Sequence, residues 1–451
     1  MKKKIFSIIR LVNIHKYIGR IFSLVLLSAS LGASSQTLSL QQCIDSALLY
    51  NKNLQMSRNN VGLGAERQRE ARAHLLPNVT LQSDYKYFAD QPYQLMPQSA
   101  FGGPAGQFKE VQMGVPHNLG VNLQLLLPLY NARIYGAIKT TEHASELNRL
   151  QYRKDEEQLL YEISGLYYNA QILNHQIAFL DSNLVNTDRL LRNLELLHSQ
   201  MMVKKSDVER VSLQKEELST QRKTVEASLE QVMDGLKFLM GIPQTQPLRI
   251  NAEIQYKPAK DLPGSVPADV QLAIAQKNLL STEWQALKKS RLPTVALMGS
   301  YGQSGMGYDK KPYEFLHFYP VSFAGLQVSV PLFNGTVTQR KINQKKLEIQ
   351  NNQLQIDLVT EQNSILAANA IRQRSIKQQT IEDTRRQIEL AFSIYEKMVL
   401  QQKEGTASLT DVLLADNALR EGQQRHLSAI IDYLKADLEL KRINGNISQK
   451  N

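Results

Sequence analysis

Proline is absent between Pro128 and Pro243 and again after Pro331. A proline ring clashes with the preceding helical turn and lacks an N–H donor, so helices avoid it. Two stretches of more than a hundred residues each, rich in Gln, Leu, Lys, Glu and Arg, therefore predict long helices rather than compact domains. The chain enters both stretches through one motif: "QLLLPLYNARIYGA" (Gln124 to Ala137) and "QVSVPLFNGTVTQR" (Gln327 to Arg340).

Other landmarks recur in the same order. "LLPNVTL" answers to "RLPTVAL", aligning Pro77 with Pro293, and "LPLYN" answers to "VPLFN", aligning Pro128 with Pro331. Ser206-Asp207-Val208 matches Thr410-Asp411-Val412, and Gly241 matches Gly445. A repeat of this kind is best sought first, because it sets the whole architecture. The expected organisation is a signal peptide at 1–35, a first repeat at 36–245, a linker at 246–266, a second repeat at 267–445 and a tail at 446–451.

Each repeat has the same grammar. Apolar residues at helical spacing predict helices over Ser39 to Leu76 and Pro267 to Leu292, each stopped by a proline. A strand follows from Asn78 to Ala89, with Val79, Leu81, Tyr85 and Tyr87 on one face and Asn78, Thr80, Gln82, Asp84 and Lys86 on the other. The Gly/Pro-rich segments "DQPYQLMPQSAFGGPAGQ" and "QSGMGYDKKPYEF" read as loops. Return strands run through Leu119, Val121, Leu123, Leu125 and Leu127, and through Leu326, Val328 and Val330. Val321 and Phe323 fall off that parity, which predicts a bulge. Pro128 and Pro331 end their strands or sit at an edge, and Asn131 and Asn334 are expected to cap the helices that follow. Those helices cover Ala132 to Met201 and Gly335 to Lys403, about 70 residues or roughly 105 Å each. Breaks near Met202 to Lys205 and at Glu404 to Ser408 lead into return helices of about 35 residues. Alone, such rods also fit an ordinary antiparallel coiled-coil hairpin.

The compartment is read from the N-terminus. Lys2, Lys3, Lys4, Arg10, Lys16 and Arg20 supply six of the eleven net positive charges, and the first 35 residues hold no acid. The apolar run "IFSLVLLSASLG" and the small residues Ala33, Ser34 and Ser35 complete a secretory signal layout, with cleavage near Ser35 and Gln36 or, alternatively, an uncleaved anchor. The remaining charge is too mild and too dispersed for nucleic acid. Cys43, the only cysteine, excludes an internal disulfide framework and reads as a buried small side chain. No later segment reaches the ~18 apolar residues of a membrane helix. The four strands, however, suit an outer membrane, and Tyr85, Tyr87, Phe88, Tyr93, Tyr313, Phe315, Phe318 and Tyr319 near their loop ends fit an interfacial girdle. Four strands cannot close a barrel, and open edges in lipid lack partners. The chain must then oligomerise, and about twelve strands from three copies would leave an aqueous bore.

With its order and duplication, the chain resembles the TolC-like outer-membrane efflux protein family. The resemblance rests on "LSLQQCIDSALLYNKNLQMSR", "PLYN", "PLFNG" and "EGTASLTDVLLAD", and it covers essentially everything after the signal peptide. It implies a mainly α fold with transmembrane β: a homotrimer whose twelve-stranded barrel in outer-membrane lipid continues as a long periplasmic α-helical barrel. A periplasmic adaptor and an inner-membrane transporter would dock on its lower end, and the protein would be a passive conduit without cofactors. The resemblance makes the hairpin tips the site: Lys204, Lys205 and Ser206 on the first, and Gly405, Thr406, Ser408 and Leu409 on the second, would meet the adaptor. Asp411 matches a carboxylate at the periplasmic constriction, where three copies would raise their own pKa by repulsion. Read alone, Asp411 is a solvated helix N-terminal residue favoured by the dipole. The chain departs from the family pattern at Leu414, Gln402, Ala407 and Met201. Lys204 and Lys205 could pair with acids on a neighbouring hairpin or the adaptor, or stay solvated.

Catalytic signals are absent: no H-E-x-x-H and no Gly-x-Ser-x-Gly occurs, so the chain is not expected to be an enzyme. Met201 and Met202 suggest Cu(I), but adjacent helical residues diverge and ordinary packing is expected. The rival function is a periplasmic adaptor or structural coiled-coil protein, which would need a compact β domain built from contiguous sequence.

Overall fold

In the computed structural model the described residues are 37–254, 256, 265–310 and 317–447. The expected signal peptide, part of the linker, Tyr313 and Phe315, and most of the tail lie outside them. The elements run α1 (Leu40–Tyr50), α2 (Lys52–Ala73), β1 (Asn78–Tyr87), β2 (Tyr93–Pro97), β3 (Phe108–Gln112), β4 (His117–Tyr130), α3 (Ala132–Ser199) and α4 (Lys205–Met240). Then come α5 (Ala268–Lys289), β5 (Thr294–Gly307), β6 (His317–Ser329), α6 (Val337–Lys403) and α7 (Leu409–Ile443). The chain divides into two compact units, one holding Ser57–Arg153 and Ala268–Gln362, the other Lys154–Pro267, the segment up to Met56 and the chain from Asn363 onward.

The first unit is organised by an antiparallel sheet of order β1-β4-β5-β6, with β1 and β6 at its edges. Pairing is in register from Asn78 opposite Leu126 to Tyr87 opposite His117. Since paired residues share a face, Val79, Leu81, Leu119, Val121, Leu123 and Leu125 make one apolar face, while Thr80, Gln82, Asp84, Asn122 and Gln124 make a polar one. Beneath the sheet, helices approach closely at small residues. A Cβ on Gly64 of α2 would lie 2.9 Å from Asn148 Nδ2 of α3, and one on Gly136 would lie 2.7 Å from Ala286 Cβ of α5. Lys345 of α6 bonds Glu283 of α5 at 2.8 Å.

In the second unit, α1 opens on a capping box: Ser39 Oγ accepts from Gln42 N–H, and Gln42 Oε1 accepts from Ser39 N–H. Cys43 and Ala47 are fully buried on its inner face, and burial pushes the Cys43 thiol up to about 11. The chain at Leu38 bridges Ile250 in parallel, and the Tyr167 hydroxyl donates to the carbonyls of Leu38 at 3.1 Å and Asn251 at 3.2 Å. The α3–α4 hairpin is laced by Lys215 to Asp188 at 2.7 Å and Arg222 to Asp181 at 2.6 Å. The α6–α7 hairpin buries Ile381, Ala429, Ile430 and Tyr433 together.

Several expectations need correction. The helix expected from Ser39 to Leu76 is two helices broken at Asn51, whose Nδ2 donates to Leu239 O (2.8 Å) while its Oδ1 accepts from Leu54 N–H (2.9 Å). A local cap and a long-range partner thus divide one helix in two. Helices α2 and α5 end at Ala73 and Lys289, a short turn before Pro77 and Pro293. The segment expected as a loop carries the β2–β3 hairpin, joined by a 3-10 turn at Gln98–Phe101. Pro128 takes the second of its two expected places, at an edge, and does not end its strand. β4 continues to Tyr130 with a register shift between Pro128 and Tyr130, tolerated because β1 pairs only as far as Leu126, so one side of β4 is free there. No bulge occurs at Val321 or Phe323: β5 and β6 pair continuously from Thr294–Ser329 to Met306–His317, which puts both side chains on the polar face. Pro331 lies past the end of β6 as expected, but α6 begins only at Val337, not Gly335.

Candidate functional site

The expected site residues lie at the two turns that join paired helices, both in the second unit. At the first, α3 closes with Met201 N–H on His198 O (2.9 Å) and Met202 N–H on Leu197 O (2.9 Å). This paired bonding is a Schellman stop, which requires a left-handed residue at its fifth position. That residue is Met201, at φ 61°. At the second turn, Gly405 N–H bonds Gln402 O (3.0 Å) and Thr406 N–H bonds Gln401 O (2.9 Å), with Gly405 at φ 76°. The Thr406 hydroxyl also donates to Gln401 O at 3.0 Å.

The restarts differ as well. Lys204 caps α4 without a side-chain bond, and Lys205 pairs with Glu209 of its own helix at 3.3 Å, both exposed. Lys204 and Ser206 are exposed beside it. Ser408 caps α7 with a reciprocal box: its Oγ accepts from Asp411 N–H (3.2 Å), and Asp411 Oδ2 accepts from Ser408 N–H (2.9 Å) and Oγ–H (2.6 Å). Those bonds to the charged form hold the Asp411 carboxyl below the ordinary carboxylate range, the hydroxyl contributing most and the backbone N–H next. Within one chain the local box lowers this pKa, opposite in sign to the repulsion expected among three copies. Leu409 opens α7, and its side chain lies outside what is described. Leu414 is largely exposed.

The methionines also correct the expectation of packing. Met201 is 95% and Met202 68% exposed, so Met201 is placed by backbone bonding, not by a core. Among the described residues no group of three or more His, Cys, Asp or Glu side chains could hold a metal ion.

The strand-to-helix junctions diverge in the same spirit. Asn131 Oδ1 accepts from Arg133 N–H at 3.0 Å, a side-chain cap. Asn334 instead turns its amide onto the Thr338 hydroxyl, and the chain passes through Gly335 at φ 64° and Thr336 at φ 66° before α6 begins. The expected backbone cap at Asn334 is thus replaced by a left-handed pair of residues.

Sequence reading missed a cluster at the loop end of the sheet. His117 is only 8% exposed; the Tyr85 hydroxyl meets its Nδ1 at 2.7 Å and its Nε2 bonds the Asp309 carboxylate. The signal was present, since a histidine continues the apolar parity of β4. Tyr85 and Tyr87 share this apolar face with Phe318, whereas Tyr319 is on the polar face, so the expected aromatic girdle holds only part of its members.

No family model matches the chain. It is 21% identical over 433 residues to Outer membrane protein TolC of Salmonella enteritidis, covering 92% of this chain and 84% of that one. In fold it matches the CmeC outer membrane channel of Campylobacter jejuni with a TM-score of 0.71 at 13% identity, covering 91% of this chain and 87% of that one. The MtrE outer membrane channel of Neisseria gonorrhoeae, solved in its open state, matches with a TM-score of 0.70 at 16% identity over 91% and 90% of the two chains. Its likeness is thus to channel proteins, in line with the expectation that it is not an enzyme. In sequence over nearly its whole length the chain is similar to TolC, and in fold it is similar to solved outer-membrane channels.

Proposed function

We propose that three copies of this chain form the outer-membrane channel of a tripartite efflux or type I secretion system, a passive conduit for substrates delivered by an inner-membrane transporter through a periplasmic adaptor. The observation that carries this reading is the four-stranded antiparallel sheet with one apolar and one polar face, whose outer edges on β1 and β6 pair with no other strand among the described residues. In lipid those edges need partners. Three copies pairing β6 of one with β1 of the next would supply them and leave a bore lined by Thr80, Gln82, Asn122 and Gln124.

The tips then take the docking role. Lys204, Lys205 and Ser206, and Gly405, Thr406, Ser408 and Leu409, would face the adaptor, with Asp411 at the periplasmic constriction. A carboxylate held ionised by its own capping box suits an acidic ring that favours cations. The adaptor or structural reading called for a β domain of contiguous sequence, yet this sheet joins a hairpin from 78–130 to one from 294–329.

Negative-stain electron microscopy of the detergent-extracted protein tests the reading. Three-fold particles with a hollow stem are expected; solid rods or single globular chains would overturn it. In planar bilayers Asp411→Asn should weaken cation preference, and unchanged selectivity would remove Asp411 from the constriction.

A further inference from the structure

The polar face of the sheet is not uniformly polar. Its rows run Thr80–Gln124–Ser300–Phe323, Gln82–Asn122–Gly302–Val321 and Asp84–Gly120–Ser304–Tyr319 across the four strands. In these rows Thr80, Gln82, Asp84, Asn122 and Gln124 supply polar side chains from β1 and β4, and Tyr319, Val321 and Phe323 of β6 are apolar or aromatic. The next row, Asn78–Leu126–Met298–Gly325, adds Leu126 and Met298 to the apolar side chains of this face. Tyr319, Val321 and Phe323 are each about half exposed, at 55%, 50% and 55%. The uninterrupted β5–β6 register makes this placement a property of the pairing and not of a local slip. An apolar strip on a wetted face loses hydrophobic stabilisation unless something covers it.

The strip borders a hollow. A cavity of about 530 Å³ is lined by Thr80, Asn122, Gln124, Ser300, Val321 and Phe323, among others. Sites for drug-sized ligands run from about 300 to 1,000 Å³ and combine apolar walls with a few convergent polar groups. Beside the cavity, a Cβ on Gly302 would collide with Asn122 Oδ1, so the glycine leaves room for the Asn122 amide, which lines the cavity together with Val321. Charge plays little part: Asp84 and Lys86, the charged residues of β1 on this face, pair with each other at 3.2 Å.

We propose that Tyr319, Val321 and Phe323, with Asn122, Gln124 and Ser300 opposite, form a contact site for an aromatic amphipathic solute without net charge, its ring against β6 and its polar groups toward β4 and β5. The proposal rests on the polar face being the wall of the bore. Such a site would retain passing cargo of this class briefly, by stacking and by burial of the strip.

The test is ion current through the purified full-length protein in planar bilayers, with rhodamine B, an aromatic zwitterion, as probe and sucrose as the non-aromatic control. Rhodamine B should reduce the current and sucrose should not. In the double variant Val321→Thr/Phe323→Gln the half-blocking concentration should rise about tenfold, the effect of losing one well-buried apolar contact. Phe323→Tyr, which keeps the ring, should retain the block. Leu81→Thr, on the opposite face, should leave it unchanged. Equal block in the double variant, or an equal loss in Leu81→Thr, overturns the site while leaving the conduit intact. A double variant that no longer assembles like the parent in size-exclusion chromatography would make the strip a subunit contact and also overturn it. A parent protein that carries no current at all would remove the conduit reading first and the site with it.

Discussion

At the end of α3 the left-handed residue is Met201; at the end of α6 it is Gly405. The backbone bonds around them are the same, and so are those that end α4 at Gly241 and α7 at Gly445. Three of these four stops use glycine, which adopts positive φ without a Cβ clash, and the fourth forces a methionine there. The restarts invert the usual economy too. Ser408-Leu409-Thr410-Asp411 is a complete capping box, whereas Lys204-Lys205-Ser206-Asp207 has the acid in its first turn but a lysine where the capping hydroxyl belongs. One tip is therefore locally well made and the other is strained at its stop and uncapped at its restart. Low local stability is common where a segment must adapt to a partner. On that physical ground the first tip, with its left-handed Met201 and uncapped α4, is expected to be the less stable of the two.

The sharpest way to break the contrast is to strain the good tip. Gly405→Val puts a β-branched residue at φ 76° and should destabilise that turn by about 2 kcal/mol, seen as at least tenfold faster hydrogen exchange across 401–408. Unchanged exchange would mean that the turn tolerates a side chain as easily as the first tip does. Met201→Gly should do the reverse, slowing exchange across 197–203 by about fivefold as roughly 1 kcal/mol of left-handed strain is relieved. Faster exchange would show that the methionine stabilises its turn through contacts of its own. Lys204→Ser completes the box with Asp207 and should add about 0.5–1 kcal/mol to the start of α4. Amide protection at Ser206 and Asp207 measures it, and no gain would detach capping from the difference between the tips.

The smallest effect expected is in pH. The folded-state carboxyl of Asp411 is held below its unfolded value, so its box stabilises α7 above the ordinary carboxylate range and loses that contribution as pH falls through the depressed folded value. Ser408→Ala removes the largest cause, so Asp411 should titrate at higher pH in the variant when followed by carboxyl carbon chemical shifts. Identical titration in both proteins would refute the box as the source of the depression.

Much of this molecule is local. The proline-free stretches predicted α3, α4, α6 and α7 because helix formation depends on near neighbours and on the absence of breakers. Alternation along Asn78 to Tyr87 and Leu119 to Leu127 assigned the two faces of the sheet, since strand side chains alternate by geometry. The buried state of Cys43 was legible as the ordinary fate of a lone small cysteine outside a disulfide framework. Of the site, the turn at Gly405 could be read, because the preference for positive φ belongs to glycine itself, whereas the Ser408 cap appeared only in the structure.

What tertiary structure decided is whatever depends on a distant partner. Asn51, which caps α2 locally, also ties that break to the carbonyl of Leu239, 188 positions away, a partner only the fold supplies. Pro128 stays inside a strand only because β1 has already stopped pairing beside it. Val321 and Phe323 are on the polar face because the β5–β6 register is continuous, a matter of pairing between strands and not of either strand alone. His117 becomes a tether because Tyr85 and Asp309 come to it from two other segments. By itself the sequence determined the long helices and the strands β1 and β4 with their apolar sides, because those preferences are settled within a few residues; β2, β3 and the face of β6 were not settled locally. Register, close approach and the meeting of side chains far apart in the chain were decided by the fold, because their free energy exists only once both partners are in place.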